Sequence, residues 1–421
     1  MAGSVKKCSL FGRMLTFVMV VLIGASVCSA EGSDDVEAMR QEIKELRQEV
    51  SGLSEEVSSS KRDEPSSSVL ESTLGKLKFG GYGDIHANFT DGSGSDKIDF
   101  HRLVLYVGYD FAEWIKFHSE VELEHAFTDV GYVLLEQAYI DFLFSDQFNI
   151  RAGRILTPIG IINQHHEPTL FNGVERPNFS KYIIPSTWSS DGVGIFGSIC
   201  PSLSYEAYVV ASLDGDSFTS SGIRDGRMKG SPSTNEVAFT GRIDWRPCEE
   251  ALANSDQSLR FGLSGFYGGL DNKEGGGGTG KDGEIAMSSA DFEYSISKFD
   301  FRGVVAHTNI DGAGGFGGGV AEQMFGWYVE GAYHFWPDAW KVGKLEDSDA
   351  VVFVRYEEYD TQYKMPSGIA KSKSKDRDEV TVGVNLYLTP NFVLKADYQF
   401  LGDASGSGRD NLFNFGIGWT F

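Results

Sequence analysis

The chain has 421 residues, a formal net charge of −23 and 51 glycines, and 41% of its residues are hydrophobic. This composition excludes a collagen-like chain, a wholly disordered chain and a disulfide-rich mini-domain. The acidic balance lacks the basic footprint of a nucleic-acid binder, so no nucleic-acid partner is expected. Abundant glycine, many aromatic residues and only 11 prolines favour strands with tight turns over helices.

The first thirty residues are typical of an export signal. A basic start precedes an apolar run from Met14 to Val27, and small residues follow up to Ala30. A run of about 14 residues is too short to span a bilayer comfortably as a helix. We therefore expect a secretory signal peptide over residues 1–30. A lipoprotein signal acylated at Cys28 is the alternative, which the bulky Val27 disfavours.

Residues 31–60 are predicted to form a short coiled-coil helix. Their apolar side chains recur at alternating spacings of three and four residues, which is the heptad pattern. The predicted core positions are Val36, Met39, Ile43, Leu46, Val50, Leu53 and Val57. This choice of residues favours a dimer in isolation, and a single amphipathic helix lying on another surface is the alternative. Residues 61–76 follow as a serine-rich, solvated linker.

From residue 77 onward the hydrophobic period is two. In residues 411–421, for example, Phe415, Ile417 and Trp419 alternate with small or polar residues, as in a strand with two different faces. We count sixteen such segments in the rest of the chain. Short turns alternate with long loops between them, and aromatic residues gather where strands end.

Short turns on one rim and long loops on the other are typical of outer-membrane barrels and not of soluble sandwiches. The expected fold class is therefore all-β, a closed antiparallel transmembrane β-barrel of about 16 strands over residues 77–421. Lipid forces every backbone polar group to pair internally, which closes the sheet. A barrel this wide leaves a water channel, so its inner face can be polar. An even strand number places the coiled coil in the periplasm.

Three segments resemble the phosphate-selective porin O and P family of bacterial outer-membrane porins. They are Lys78-Phe-Gly-Gly-Tyr-Gly-Asp84, residues 151–160 and residues 184–194. The resemblance implies a trimer in the outer membrane of a Gram-negative-type bacterium, with lipid around the barrel. It also implies that the long loop, residues 157–190, folds into the lumen, and a loop of that length is uncommon unless it is functional.

Charged side chains on the inward face and on this loop are expected to line the pore near its constriction. These are Arg102, Lys116, Glu120, Glu122, Arg151, Arg154, His165, His166, Glu167 and Arg176. Adjacent histidines on an irregular loop are more often simple polar residues than metal ligands, so no metal is predicted. The sequence contains no recognisable catalytic arrangement, and neither an enzyme nor a cofactor is predicted.

Acidic side chains outnumber basic ones on the face that alternation turns inward. An anion pore needs a basic excess at its constriction. The expected function is therefore passive diffusion of ions and small hydrophilic solutes through a general or mildly cation-preferring porin. An anion- or phosphate-selective channel is the alternative within transport. A structural tether that joins the outer membrane to the cell wall through the coiled coil is the alternative from another class.

Two cysteines remain after the signal is removed, Cys200 and Cys248. Both are expected on the short-turn rim, separated by one strand pair or about 10 Å. Flexible turn ends can close that distance to bonding range. Since an exported protein meets an oxidising compartment, we predict a disulfide between them.

Overall fold

The computed structural model describes residues 75–127, 130–227, 235–247, 252, 255–270 and 283–421. The predicted signal peptide, the coiled-coil segment and most of the linker lie outside these residues, as does Cys248. Among the helices in the described part of the chain, none combines the length and apolar character needed to cross a bilayer.

Sixteen antiparallel strands in the described residues close into one barrel, in which neighbours in the sequence pair and the first strand pairs with the last. The strands are β1 (Leu77–Thr90), β2 (Lys97–Ala112), β3 (Ile115–Phe127), β4 (Val130–Leu143), β5 (Asn149–Leu156), β6 (Ser189–Cys200), β7 (Leu203–Ala211), β8 (Val237–Trp245), β9 (Gln257–Gly269), β10 (Glu284–Ile296), β11 (Phe299–Asp311), β12 (Gln323–His334), β13 (Asp349–Lys364), β14 (Asp376–Thr389), β15 (Phe392–Asp403) and β16 (Leu412–Thr420). The predicted fold class and strand count are confirmed.

Helical segments are short and lie in the connections. Two four-residue helices are α1 (Phe179–Tyr182) and α2 (Ala313–Phe316). Single 3₁₀ turns cover Gly215–Ser217, Arg224–Gly226, Asp338–Trp340, Gly343–Leu345 and Lys373–Lys375. The barrel wall is therefore built by strands alone.

The two faces of the wall differ as the period of two requires. On β14, Val382 and Val384 are each 38% exposed on the outside, whereas Thr381 and Asn385 are buried on the inside. Apolar side chains facing outward suit a wall surrounded by lipid. At the short-turn rim the ring of Trp114 lies 6.0 Å from that of Phe144, as expected for an interfacial aromatic girdle.

The lumen is not polar throughout, contrary to the simplest expectation for a wide barrel. Residues 157–188, called the lumen loop below, include Phe179 and Trp188, whose side chains are completely buried. The indole of Trp188 lies 4.9 Å from the ring of Phe266, and the ring of Phe179 lies 5.5 Å from that of Tyr328. These contacts belong to one apolar cluster that includes inward residues of β7 to β13. The loop ends at 188 because β6 begins at Ser189.

Candidate functional site

Basic side chains of the wall hold the lumen loop by donating to its backbone. Lys395 Nζ donates to the carbonyl oxygens of Phe171 and Gly173, both at 2.8 Å. Arg355 Nη1 donates to the carbonyl oxygen of Asn172 at 3.2 Å. Gly173 has a φ of 83°, which favours glycine. Lys395 and Arg355 are buried by these contacts, so neither presents its charge to an open channel.

Carboxylates of the wall bind the same loop. Asp397 accepts from the backbone N–H of Val174 at 2.6 Å, and Glu357 accepts from that of Phe179 at 2.8 Å. Glu330 accepts from the Asn172 side-chain amide at 2.8 Å. A count of inward charges therefore does not give the charge of the channel, because these three buried acids, like Lys395 and Arg355, are used as anchors.

A second anchor lies on β8 and β9. The Arg242 guanidinium forms paired hydrogen bonds to Asp244 and to Asp291, all between 2.8 and 2.9 Å. It also donates to the carbonyl oxygen of Gly160 in the lumen loop at 3.0 Å. Arg260 joins the network through Asp244 and Asp291. Such bidentate pairs fix geometry strongly.

Four of the predicted pore residues come together where the lumen loop meets β2 to β4: Arg102, Glu120, Glu122 and His166. Arg102 Nη1 lies 3.3 Å from the Glu122 carboxylate. His166 Nε2 lies 3.3 Å from Glu136, which is fully buried. Burial alone would lower the pKa of His166, but the Glu136 carboxylate raises it to about 9.

Sequence reasoning misses Glu136 because alternation places it on the outer face. The register shifts between Glu120 and Val121, which pair with Gln137 and Leu135, so Glu136 is the extra residue of a β-bulge. The bulge turns its side chain inward. A bulge in a strand of ordinary alternation leaves no reliable trace in a single sequence.

The other predicted pore residues make separate contacts, although His165 and Glu167 flank His166 in the chain and Arg176 donates to its carbonyl oxygen. Arg151 binds Asp141 at 2.7 and 3.0 Å, Lys116 lies in register with Asp141 and with Asp110, and Glu167 accepts from the Tyr106 hydroxyl at 3.4 Å.

Arg154 does not line the lumen. It lies opposite Asp191, whose carboxylate it binds at 2.7 and 3.0 Å. Asp191 is two residues from Val193, which is half exposed on the outside. Arg154 is three positions after Arg151, and an odd offset in a strand reverses the face. The sequence predicts Arg154 in the pore wall, whereas the structure places it on the outer face of the barrel, opposite Asp191.

Two cavities flank the lumen loop. The long-loop cavity, of about 600 Å³, is lined by Arg176 and Arg224 among others. The short-turn cavity, of about 390 Å³, is lined by Arg151, His165 and Arg246 among others. Open space therefore lies on both sides of the loop, and both basic and acidic residues line each cavity.

Arg176 and Arg224 have no carboxylate within ion-pair distance among the described residues. Arg176 donates to the carbonyl oxygen of His166 at 2.9 Å, and Nη1 of Arg224 is buried without a described partner. Burial and the neighbouring Arg102 lower the pKa of Arg176, and burial and Arg176 lower that of Arg224. Both arginines thus bring positive charge to the long-loop cavity, where acidic residues such as Asp84 and Glu175 also lie. Sequence reasoning misses Arg224 because nothing in the sequence shows that its loop folds inward.

Glu175 fixes the opposite edge of the long-loop cavity. It accepts from His86 Nδ1 and from the Asn88 side-chain amide, both at 3.0 Å. Burial alone would raise the pKa of Glu175, but His86 beside it holds the pKa well below its usual range. Glu175 therefore stays ionised, binding His86 and Asn88 at the wall of the long-loop cavity.

Cys200 lies exposed at the end of β6, with its Sγ 3.4 Å from the Ser202 hydroxyl oxygen. Its proposed partner lies outside the described residues, so the disulfide stays a prediction.

Comparison with known proteins gives the class and then the family. The outer membrane channel DcaP of Acinetobacter baumannii is 13% identical, covers 82% of this chain and 97% of its own, and superposes with a TM-score of 0.52. A loop L8 deletion mutant of OmpT from Vibrio cholerae is 12% identical, with coverage of 82% and 99% and a TM-score of 0.52. At these identities the likeness shows a shared fold, that of an outer-membrane channel.

The sequence profile of the phosphate-selective porin O and P family matches residues 79–198. An uncharacterised protein of Aquifex aeolicus is 33% identical over 384 residues, which is 85% of this chain and 83% of the relative. The chain belongs to this porin family. It is an outer-membrane porin through which small solutes diffuse passively.

Proposed function

We propose that this porin conducts small anions in preference to cations. The observation that carries the proposal is the pair Arg176 and Arg224, which border the long-loop cavity without a carboxylate within ion-pair distance among the described residues. Fixed positive charge in a narrow, low-dielectric passage raises the local concentration of anions.

The short-turn cavity supports the same preference. Arg246 is exposed there beside His165 and forms no ion pair among the described residues. Arg151 also lines this cavity, but its guanidinium is paired with Asp141. An anion leaving one cavity therefore meets positive charge in the next. The cation preference expected from the sequence was based on a count of inward charges. Acids in that count such as Glu357 and cations such as Lys395 both anchor the lumen loop, so the charges that border the cavities are the better guide to selectivity.

The test is ion selectivity. The mature chain is reconstituted in a planar bilayer, and the reversal potential is recorded under a potassium chloride gradient. We expect anion preference, and we expect the double variant Arg176→Gln, Arg224→Gln to lose most of it. Lys341→Gln is the matched control, since that exposed lysine lies on the short-turn rim outside both cavities. Cation preference of the unmodified protein would overturn the proposal.

Phosphate is the anion to examine first, because its doubly charged form gains most from two guanidinium groups. Adding millimolar phosphate to a chloride current should reduce the current if phosphate dwells near Arg176 and Arg224. Sulfate has the same charge as this form of phosphate and a similar shape. Comparing inhibition of the chloride current by the two anions therefore shows whether charge alone or the chemical identity of phosphate matters. Equal inhibition by both would support a general anion channel.

We propose further that the protein is a homo-oligomer, a trimer by family resemblance, with lipid against its apolar face and the helix of residues 31–60 in the periplasm. Deleting residues 31–68 tests the helix. An assembly helix predicts weaker oligomers on native gels with conductance retained. A tether to the cell wall, the alternative role, predicts unchanged oligomers and loss of envelope attachment in cells.

A further inference from the structure

Glu136 is buried without the partners a carboxylate needs. It is 0% exposed, and neither of its oxygens accepts a hydrogen bond in the described part of the chain. Its one close polar neighbour there is His166 Nε2, at 3.3 Å. A buried charge without compensation is strongly unfavourable, so an arrangement of this kind points to a missing positive group.

The orientation of the His166 ring also indicates a cation beside Glu136. Its Nδ1 lies 2.9 Å from the carbonyl oxygen of Asn163. A carbonyl only accepts, so Nδ1 carries a hydrogen and donates it. That hydrogen bond leaves Nε2 directed at Glu136. A backbone carbonyl holding one imidazole nitrogen while the other faces a cation is the usual arrangement around metal-ligating histidines.

Glu120 completes a group of three. One ligand atom each from Glu120, Glu136 and His166 lie within 4.8 Å of one another, and all three residues are buried. Glu120 Oε2 accepts from the Gln137 side-chain amide, and the Tyr106 hydroxyl is a second hydrogen-bonding neighbour of this carboxylate.

The charges of this group do not balance within the described residues. Neither Glu120 nor Glu136 has a lysine or arginine within ion-pair distance there. The guanidinium of Arg102 is taken by Glu122 at 3.3 Å and by Asp84 at 3.4 Å. A proton on His166 would offset one carboxylate and leave the second. A divalent cation offsets both.

We propose that Glu120, Glu136 and His166 bind a divalent transition-metal ion, of which Zn²⁺ is the best match. Two carboxylates and one imidazole form a three-ligand set of the kind zinc accepts with a water in the fourth position. The ion reaches the site from a cavity of about 420 Å³ that Glu120 lines. Bound there, it ties β3 and β4 to the lumen loop where the channel narrows.

A second cluster of possible metal ligands has to be disabled by mutation before zinc binding at the proposed site is measured. Asp99, His101 and His125 also place ligand atoms within 4.8 Å of one another, at the long-loop mouth, where Asp99 binds His125 at 2.6 Å. His101 and His125 are only partly buried, and they can take up zinc from solution. The measurements therefore use the His125→Gln background.

Zinc binding to the refolded mature chain, stripped with a chelator, is measured by calorimetry. We expect one zinc per chain. Glu136→Gln should weaken binding at least about 100-fold, since changes in the outer shell of such sites already cost 10–100-fold. Glu167→Gln is the matched control, because it makes the same change next to His166 outside the group of three, and its affinity should stay within threefold.

The proposal is overturned if the His125→Gln protein binds no stoichiometric zinc, or if Glu136→Gln binds as tightly as its parent. Should Glu136→Gln fail to fold, Co²⁺ replaces zinc in the parent protein. A visible spectrum of four-coordinate cobalt with nitrogen and oxygen ligands that is lost in His166→Gln supports the site. A spectrum of hydrated cobalt alone contradicts it.

Discussion

The two sides of the lumen are filled in different ways. Along β7 to β13, inward apolar residues such as Phe266 and Tyr328 pack on Trp188 and Phe179 of the lumen loop. Along β1 to β4, the same loop meets charged residues and leaves cavities. The apolar side supplies burial that fixes the loop, and the polar side is where solutes can pass. The inside of this wide barrel thus contains both a packed apolar core, like that of a soluble protein, and open space for a channel.

The largest effect is expected on the apolar side, at Trp188. Trp188→Ala removes a completely buried indole and should cost about 3–5 kcal/mol in the free energy of unfolding. Without the indole packed against Phe266, the loop should leave the wall, so single-channel conductance should rise and become noisy. Trp245→Ala, a half-exposed residue on the outer face, is the control. An unchanged conductance would show that packing does not hold the loop.

A smaller loss is expected at the anchor formed by Arg355. It lies 3.2 Å from Glu330 and 3.0 Å from Glu357, both buried. Arg355→Met should lower the free energy of unfolding by about 3 kcal/mol, the low end for a broken buried pair, because Glu330 keeps Arg302 at 3.3 Å. Denaturant unfolding in detergent measures the loss. Equal stability of variant and parent would mean that the anchor contributes nothing.

In the cavities that flank the lumen loop, single charges should act modestly. A unit charge about 10 Å from a passing ion in water contributes about 0.4 kcal/mol, or roughly a twofold change in permeability. Because the same charge favours anions and disfavours cations, Arg246→Gln should lower the ratio of anion to cation permeability about fourfold in reversal-potential measurements, and Arg246→Lys should preserve it. A larger change in the lysine variant than in the glutamine variant would contradict a purely electrostatic role.

The smallest effect is expected from pH, through Glu175. Its folded-state pKa lies below the unfolded value, so its stabilisation is present above about pH 4.5 and is lost as the pH falls further. Glu175 remains about one third exposed, at 36%, so the effect is modest. Conductance noise should increase on acidification below pH 4.5, and Glu175→Gln should show that noise already at neutral pH. A pH-independent parent would argue against the anchor.

Much of the wall could be predicted from the sequence, because side chains on β14 such as Val382 and Thr381 follow the period of two. The site could not be predicted equally well. Alternation gives the face of a residue but not whether a loop covers it, so Lys395 and Asp397 look like free charges in the sequence. A bulge hides Glu136, and the inward path of the loop that carries Arg224 depends on tertiary packing.

The most direct test of the account is the reversal potential of the unmodified mature protein in a planar bilayer under a salt gradient. We expect anions to permeate more readily than cations, because Arg176, Arg224 and Arg246 border the cavities without forming ion pairs among the described residues. A reversal potential of the opposite sign would contradict it and would mean that the acidic excess of the inner face governs selectivity after all.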